Sequence, residues 1–287
     1  METAAKTKRT RSPRAPYLRY VMTSASHELH AMMRQKRIIL ATGVTLVPVL
    51  IPLALAFLAT GRYGNNGHDI FIHIIESLYL KAMSPLLALF FGSMLIGEDV
   101  ELQTILYILA RPVPRSAWVA GKFAAYMVLA AAILVTSILL TFFACSALGG
   151  LEANHEELRL LADYVGINLA ALVVYGSLCT FLGALVRRPV VFGVVLMFGW
   201  QRFATIVPGV VDFLTIEKYI VAMLPPLPIE RQTKVLKWFG IEFPKEEFVI
   251  SNARASLTLL IVAVCLLIWT GYVVRRREYS SARAVGG

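Results

Sequence analysis

The sequence is poor in charged residues. Only 16% of its 287 residues are Asp, Glu, Lys or Arg, and 57% are hydrophobic, whereas about a quarter of the residues of a soluble domain are charged. The hydrophobic residues stand in long blocks separated by polar connectors, and a soluble core would instead mix them at a period of two or about 3.6 residues. The composition therefore excludes an ordinary water-soluble domain and predicts a protein that folds in a lipid bilayer.

Cysteine is scarce as well. The chain has only three cysteines, Cys145, Cys179 and Cys265. They are far apart and no two have CxxC spacing, so the sequence predicts neither a disulfide framework nor a metal site. A GxxxxGK[ST] phosphate-binding loop is also missing, because Gly121-Lys122 is followed by Phe123. We expect no catalytic residue and no cofactor in this chain, and we expect any ATP to bind to another one.

Six apolar blocks are long enough to cross a membrane. A spanning helix needs about 20 residues, because each residue rises about 1.5 Å and the hydrocarbon core is about 30 Å thick. The fifth block is short and contains Gln201 and Arg202. The predicted fold is an all-α integral membrane protein with a transmembrane domain over 38–274. Its six transmembrane helices are predicted at 38–60, 78–97, 123–145, 166–186, 190–207 and 256–274.

The distribution of basic residues predicts the orientation, since cytoplasmic loops carry more Lys and Arg than outer loops do. Eighteen of these residues lie in the first 37 positions, the connector 98–122, the tight connector after the fourth span and the tail 275–287. The outer loop before the fourth span has Arg159 and four acidic residues. We therefore expect both termini to be cytoplasmic. Because the basic residues flank apolar blocks, the net charge of +10 predicts membrane lipids as partners, and no nucleic acid.

Two further segments are predicted to lie at the membrane surface. Residues 1–37 form a basic cytoplasmic tail without the apolar run of a cleavable signal peptide, and apolar residues recur at spacings of three and four over 17–36, which predicts an amphipathic interface helix. The outer loop 208–255 has the same spacing over 213–224 and 229–239. It predicts short amphipathic helices on the outer surface, with a small extracytoplasmic subdomain as the alternative.

The connector 98–122 has the most informative pattern. It opens with Glu98, Asp99 and Glu101, which cannot rest in hydrocarbon and predict the start of a helix at the cytoplasmic surface. An apolar stretch follows, and Arg111-Pro112 ends it because the residue before proline avoids the helical region. A second helix can begin after Pro114. The pattern predicts a compact helix–turn unit for docking a soluble partner, and an ordinary amphipathic connector is the alternative.

This connector resembles the signature of ABC-2 type permeases, the membrane subunits of ABC exporters. That signature reads roughly as acid-x-Glu-x-Gly-Thr-Leu, then Leu-Leu, Pro-Val-Ser-Arg and Gly-Lys. The matching positions are Asp99, Glu101, Thr104, Pro112, Val113, Arg115, Gly121 and Lys122, and Glu28-Leu29 with Arg34 and Arg37 matches the segment before the first span. Gln103 and Pro114 depart from the pattern, where the family has Gly and Ser or Thr.

The resemblance implies that the connector is a coupling helix seated in a groove of a separate ATP-binding subunit. The residues that it implies as contacts or helix-end positions are Glu98, Asp99, Glu101, Thr104, Arg111, Pro112 and Arg115. It also implies a second permease copy or a homologous permease, with ATP and Mg²⁺ on the partner subunit. A bacterial-type inner membrane is the implied location.

Three functions follow from these observations. The first is the permease subunit of an ABC exporter whose substrate the sequence does not identify. The others are an ATP-independent secondary transporter or channel, and a membrane anchor of a larger assembly that does not transport. Gln201 and Arg202 are candidates for a translocation pathway, because polar residues inside a span usually face a bundle interior, a water-filled cavity or a partner. A position near the outer end of the fifth span is the alternative.

Overall fold

The computed structural model describes residues 16–58, 66–101, 114–147, 151, 154–206, 213–225, 236–238, 241–243 and 251–276. Nearly all of this part of the chain is helical. The α-helices are α1 (Tyr17–Met33), α2 (Lys36–Leu58), α3 (Gly67–Ile74), α4 (Ser84–Leu87), α5 (Met94–Glu101), α6 (Arg115–Ser146), α7 (His155–Leu185), α8 (Pro189–Val194), α9 (Gln201–Ile206), α10 (Ile216–Ala222) and α11 (Asn252–Arg276). π-Helical segments at Ile75–Met83 and Ala88–Gly92 continue the chain between α3 and α5, and Val195–Trp200 joins α8 to α9.

Five of the described helices are long and apolar enough to cross a membrane. They are Lys36–Leu55, Gly67–Asp99, Arg115–Ser146, His155–Leu185 and Asn252–Arg276. These helices confirm a helical, multi-pass membrane protein. The predicted span 190–207 coincides with the helical stretch from α8 to α9, of which only Pro189–Trp200 counts as an apolar helix, and a short one. The count of six spans therefore stays a prediction.

The second and fourth spanning helices are longer than the sequence predicts. The predicted span 78–97 is the later part of Gly67–Asp99, and the predicted span 166–186 is the later part of α7. The added turns contain polar residues, which limited the predicted spans, but four of them form two pairs between the two helices. His68 Nδ1 lies 2.8 Å from Glu157 Oε1, and the Tyr164 hydroxyl donates to Glu76 Oε1 at 2.9 Å.

Buried hydroxyl groups join the first three spanning helices. The Tyr79 hydroxyl lies 2.6 Å from Ser137 Oγ and 2.7 Å from Thr141 Oγ1, and Ser137 in turn donates to the carbonyl of Thr45 at 2.6 Å. Without a hydrophobic effect between helices in lipid, such hydrogen bonds and close packing hold a bundle together. Packing is tight at Gly183, where an added Cβ would lie 2.7 Å from the carbonyl oxygen of Ser93.

The outer loop differs from the sequence prediction in part. A short helix, α10, lies within the predicted helical stretch 213–224. In the stretch 229–239, however, residues Leu236–Trp238 form strand β1, which pairs antiparallel with β2 (Ile241–Phe243), so the helix predicted there is wrong at these residues. Apolar and polar residues alternate on both sides of Gly240, and that pattern is typical of a hairpin.

Candidate functional site: the Lys122 cluster at the basic end of the bundle

Three chain segments with basic residues meet at one end of the bundle, here called the basic end: the starts of α2 and α6 and the end of α11. Arg37 at the start of α2 pairs with Glu98 in α5, with 3.3 Å between Nη1 and Oε2. Arg115, the first residue of α6, donates from Nη1 to the carbonyl oxygen of Arg275 at 2.8 Å and to that of Val274 at 3.4 Å. Because the last carbonyls of a helix have no partner inside it, Arg115 caps the C-terminus of α11.

Lys122 lies at the centre of this end. Its Nζ atom is 2.6 Å from Asp99 Oδ2, 2.9 Å from Glu28 Oε2 and 2.8 Å from the carbonyl oxygen of Leu95, and it stands 5.2 Å from the ring centroid of Trp118. An ammonium group has three N–H donors, and these three oxygens can take all of them. We call Lys122, Asp99, Glu28 and the Leu95 carbonyl the Lys122 cluster.

The burial of the cluster makes it costly to break. Lys122 is only 5% exposed, and the side chains of Glu28 and Asp99 are 19% and 17% exposed. Taking charges out of water is expensive, so removal of one partner from such a pair is strongly destabilising. The cluster joins three elements, since Glu28 belongs to α1, Asp99 to α5 and Lys122 to α6. It therefore fixes α1 and the two sides of the connector against one another.

The expectation that the acidic residues begin a helix is wrong for Glu98 and Asp99, because both lie within α5, after its first residue Met94. Glu98 pairs with Arg37, and Asp99 pairs with Lys122. These cations come from distant parts of the chain, so the local sequence could not reveal them.

Gly121 allows α1 to approach α6 closely enough for the cluster to form. A Cβ added at Gly121 would lie 2.6 Å from Ser24 Cβ and 2.7 Å from the carbonyl oxygen of Val21, which is closer than real contacts allow. Ser24 also donates from Oγ to the carbonyl of Trp118 at 3.4 Å. Gly121, Lys122 and Glu28 match the family patterns, but these matches gave them no role. The adjacency of Gly121 and Lys122 in the connector pattern was the available signal.

The predicted partner contacts divide into two groups. Glu98, Asp99 and Arg115 lie at the basic end, and each makes the intrachain contact given above. Glu101 is the last described residue of α5, but its side chain is outside the described part of the structure. The same holds for Thr104, Arg111 and Pro112, which fall between the described ranges 66–101 and 114–147. Their role as contacts to another subunit stays a prediction.

The two candidate pathway residues lie in α9. Gln201 is 4% exposed and accepts a hydrogen bond from the Tyr175 hydroxyl at 3.1 Å. Its side chain therefore packs against α7. The side chain of Arg202 is outside the described residues. A pathway role for either residue stays a prediction.

Within the described ranges, no group of three or more His, Cys, Asp or Glu residues is arranged to hold a metal ion. His68 and Glu76, which are close in sequence, instead pair with Glu157 and Tyr164. The ion pairs at the basic end can hold α1, α5 and α6 in fixed relative positions.

The long apolar helices define a multi-pass membrane protein. A comparison with protein families supplies the particular family: the profile described as ABC-2 family transporter protein matches residues 27–201. The chain belongs to this family, whose members are membrane permease domains. The match covers the Lys122 cluster, since Glu28, Asp99 and Lys122 all fall inside it. No curated protein matched the chain.

Proposed function

We propose that this chain is the transmembrane permease subunit of an ATP-binding cassette exporter. A separate ATPase subunit binds ATP and Mg²⁺, docks on the connector 98–122 at the basic end, and drives a substrate across the membrane. Two permease chains form the translocation unit. The members of the family normally pair with an ABC ATPase, and the family match is the first support for this proposal.

The observation that carries the proposal is the ion pair between Asp99 and Lys122. The connector begins in α5 and ends in α6, and the pair ties these two helices together, with 2.6 Å between the charged atoms. A partner that displaces the connector would therefore move α5 and α6 together. Because Glu28 shares Lys122, α1 would move with them. Asp99 then acts mainly as a positioning residue, and the more exposed Glu98 acts as a contact.

A sixth crossing is supported by the positions of the helix ends. Glu157 near the start of α7 pairs with His68, away from the basic end, and Pro189 just after α7 adjoins Gly97 in α5. The end of α11 is capped by Arg115 at the basic end, so α11 begins at the opposite end. This arrangement supports an odd number of crossings between α7 and α11. The stretch from α8 to α9 is about 27 Å long at 1.5 Å per residue and fits that crossing.

We infer the orientation from the positions of the basic residues. The basic end collects Arg37, Lys122 and Arg275, and we place it in the cytoplasm by the positive-inside rule. Both termini are then cytoplasmic, and the outer loop with β1 and β2 faces away from the cytoplasm. A bacterial-type inner membrane is the proposed location.

The test is purification of the tagged full-length chain from membranes together with its ATPase. We expect a subunit with a phosphate-binding loop in equal amount, and ATP hydrolysis in the complex. Joint substitution of Glu101→Ala and Arg115→Ala should lower ATPase recovery at least tenfold. Substitution of Arg187→Ala with Arg188→Ala, on the other short connector at the basic end, is the matched control and should leave recovery unchanged.

Arg115 also caps α11, so the thermal midpoint of each variant must be measured in parallel. If the ATPase is lost while the thermal midpoint is unchanged, the substitutions act on docking and not on stability. Full recovery of the ATPase with the Glu101 and Arg115 variant would refute the docking assignment. Transport that persists without any ATPase subunit would favour a secondary transporter.

A further inference from the structure

A groove of about 930 Å³ opens on the side of the bundle at the basic end. It lies between the start of α6, the last turns of α11 and the first residue of α1. Its floor is apolar and comprises Val119 and Ala120 of α6 with Leu267 and Gly271 of α11. Val119 is buried, whereas Ile268 beside it is 68% exposed. The groove therefore opens toward the surface that the bilayer covers.

The rim of the groove is basic and aromatic. Arg115, Arg275, Tyr17 and Tyr272 line it, and no acidic side chain is among the described residues of its wall. Arg115 uses Nη1 for the carbonyl oxygens at the end of α11, and a guanidinium group has further N–H donors. Within the described ranges, neither Arg115 nor Arg275 forms an ion pair with an acidic residue. Two arginine residues thus line the edge of an apolar groove.

The rim lies at the level of the lipid headgroups. The helix α11 has 25 residues, and about 20 of them cross the hydrocarbon, so Arg254 and Arg275 near its two ends fall just outside it. Tyrosine concentrates at the same boundary, where Tyr17 and Tyr272 are each half exposed. Arg276 stacks on the ring of Tyr272 at 4.9 Å. The apolar floor begins at this level and continues into the hydrocarbon.

We propose that this groove binds one anionic phospholipid. Its phosphate pairs with Arg115 and Arg275, and an acyl chain lies along Val119, Leu267 and Gly271. The groove suits both parts of the lipid, because its apolar floor can hold the acyl chain and the guanidinium groups at its rim favour phosphate. The proposal does not depend on the ATPase partner.

Charge argues against the other occupants. Residues 1–15 carry five Lys and Arg residues and one Glu, and residues 277–287 carry two Arg and one Glu, so both tails would be repelled by the rim. A second copy that covered the groove across a two-fold axis would place its own basic rim near this one. A phospholipid is the occupant that neutralises Arg115 and Arg275.

The test uses the full-length chain in nanodiscs of phosphatidylcholine that contain a trace of spin-labelled lipid. The motionally restricted fraction is measured by electron paramagnetic resonance, first with spin-labelled phosphatidylglycerol and then with spin-labelled phosphatidylcholine. We expect preferential restriction of phosphatidylglycerol. Arg275→Gln should reduce that preference about fivefold, the effect of about one basic residue near an anionic surface. Arg188→Gln, at another basic position of the same end, should not reduce it.

A second variant fills the floor of the groove. A Cβ added at Gly271 meets no atom within 4 Å, so Gly271→Leu should fold and occupy the place of the acyl chain. We expect it to abolish the preference for phosphatidylglycerol. Gly43→Leu is the matched control, since Gly43 on α2 is equally open, and it should behave like the unchanged protein.

Four results would overturn the proposal. Equal restriction of the two lipids is one, and an unchanged preference in Gly271→Leu is another. Displacement of the restricted lipid by excess inorganic phosphate would identify a site for free phosphate. Disulfide formation between two copies that carry Ile268→Cys, with the native cysteines replaced, would identify a second copy as the occupant.

Discussion

Lys122 and Asp99 are separated by the whole connector and yet form an ion pair, with 2.6 Å between Nζ and Oδ2. The pair joins α5, which contains the start of the connector, to α6, which contains its end. Since Lys122 is 5% exposed and also pairs with Glu28, its position depends on three elements of the fold. The ion pairs therefore hold α1, α5 and α6 together at the basic end.

The first prediction concerns Lys122→Met. The substitution leaves Asp99 and Glu28 close together without their cation, and loss of one partner from a buried pair costs about 3 to 5 kcal/mol. We expect a much lower thermal midpoint in detergent, measured by fluorescence-detected size-exclusion chromatography. Lys81→Met is the control, because the Lys81 side chain is 27% exposed and its Nζ atom lies as far as 3.9 Å from Glu217 Oε1. It should change the midpoint little.

Neutral substitutions at all three side chains of the Lys122 cluster test whether the loss of stability comes from charge or from packing. If the loss arises from unpaired carboxylates, Lys122→Met combined with Asp99→Asn and Glu28→Gln should recover most of the stability, since neutral replacement of a buried ion pair is often tolerated. Equal midpoints for Lys122→Met and Lys81→Met would contradict the assigned role of the cluster.

The second prediction concerns the close approach of α1 to α6. Gly121→Leu would place a side chain against Ser24 and the carbonyl of Val21, and such overpacking costs about 1 to 3 kcal/mol. We expect a lower midpoint and easier proteolysis of α1. Gly166→Leu is the matched control, because an added Cβ at Gly166 meets no atom within 4 Å. Similar proteolysis rates in the two variants would contradict the close approach.

The third prediction concerns the opposite end of the bundle. His68→Ala removes the partner of Glu157, and a largely buried carboxylate that loses a hydrogen bond costs about 1 to 3 kcal/mol. His73→Ala, an exposed histidine on the same helix, is the control and should be nearly neutral. The thermal midpoint is the readout. We further expect Glu157→Gln to reduce the loss in the His68→Ala background, and no reduction would mean that the pair with His68 contributes little.

The fourth prediction concerns the sixth crossing. In a chain with its native cysteines replaced, Arg188→Cys should react with a membrane-impermeant thiol reagent only from the cytoplasm. Ser251→Cys, directly before α11, should react only from the outer side. Reaction of both positions from the same side would mean that the stretch from α8 to α9 does not cross the membrane.

Much of the bundle could be predicted from the sequence. The predicted spans 38–60, 123–145 and 256–274 correspond closely to α2, α6 and α11, because their apolar blocks are uninterrupted. The start of α6 after Pro114 was predicted as well, since proline ends the preceding helix and begins the next. The starts of α7 and of the second spanning helix were not, because polar residues such as His68 and Glu157 find their partners only across the fold.

The sequence by itself determined that this protein spans a membrane and which family it resembles. Both follow from local properties, namely the length of the apolar blocks, the placement of Lys and Arg, and the spacing of the connector motif. Only the tertiary structure decided what the motif residues contact. Asp99, Lys122 and Glu28 belong to three different helices, and the energy of a buried ion pair exists only once packing has brought its members together and excluded water.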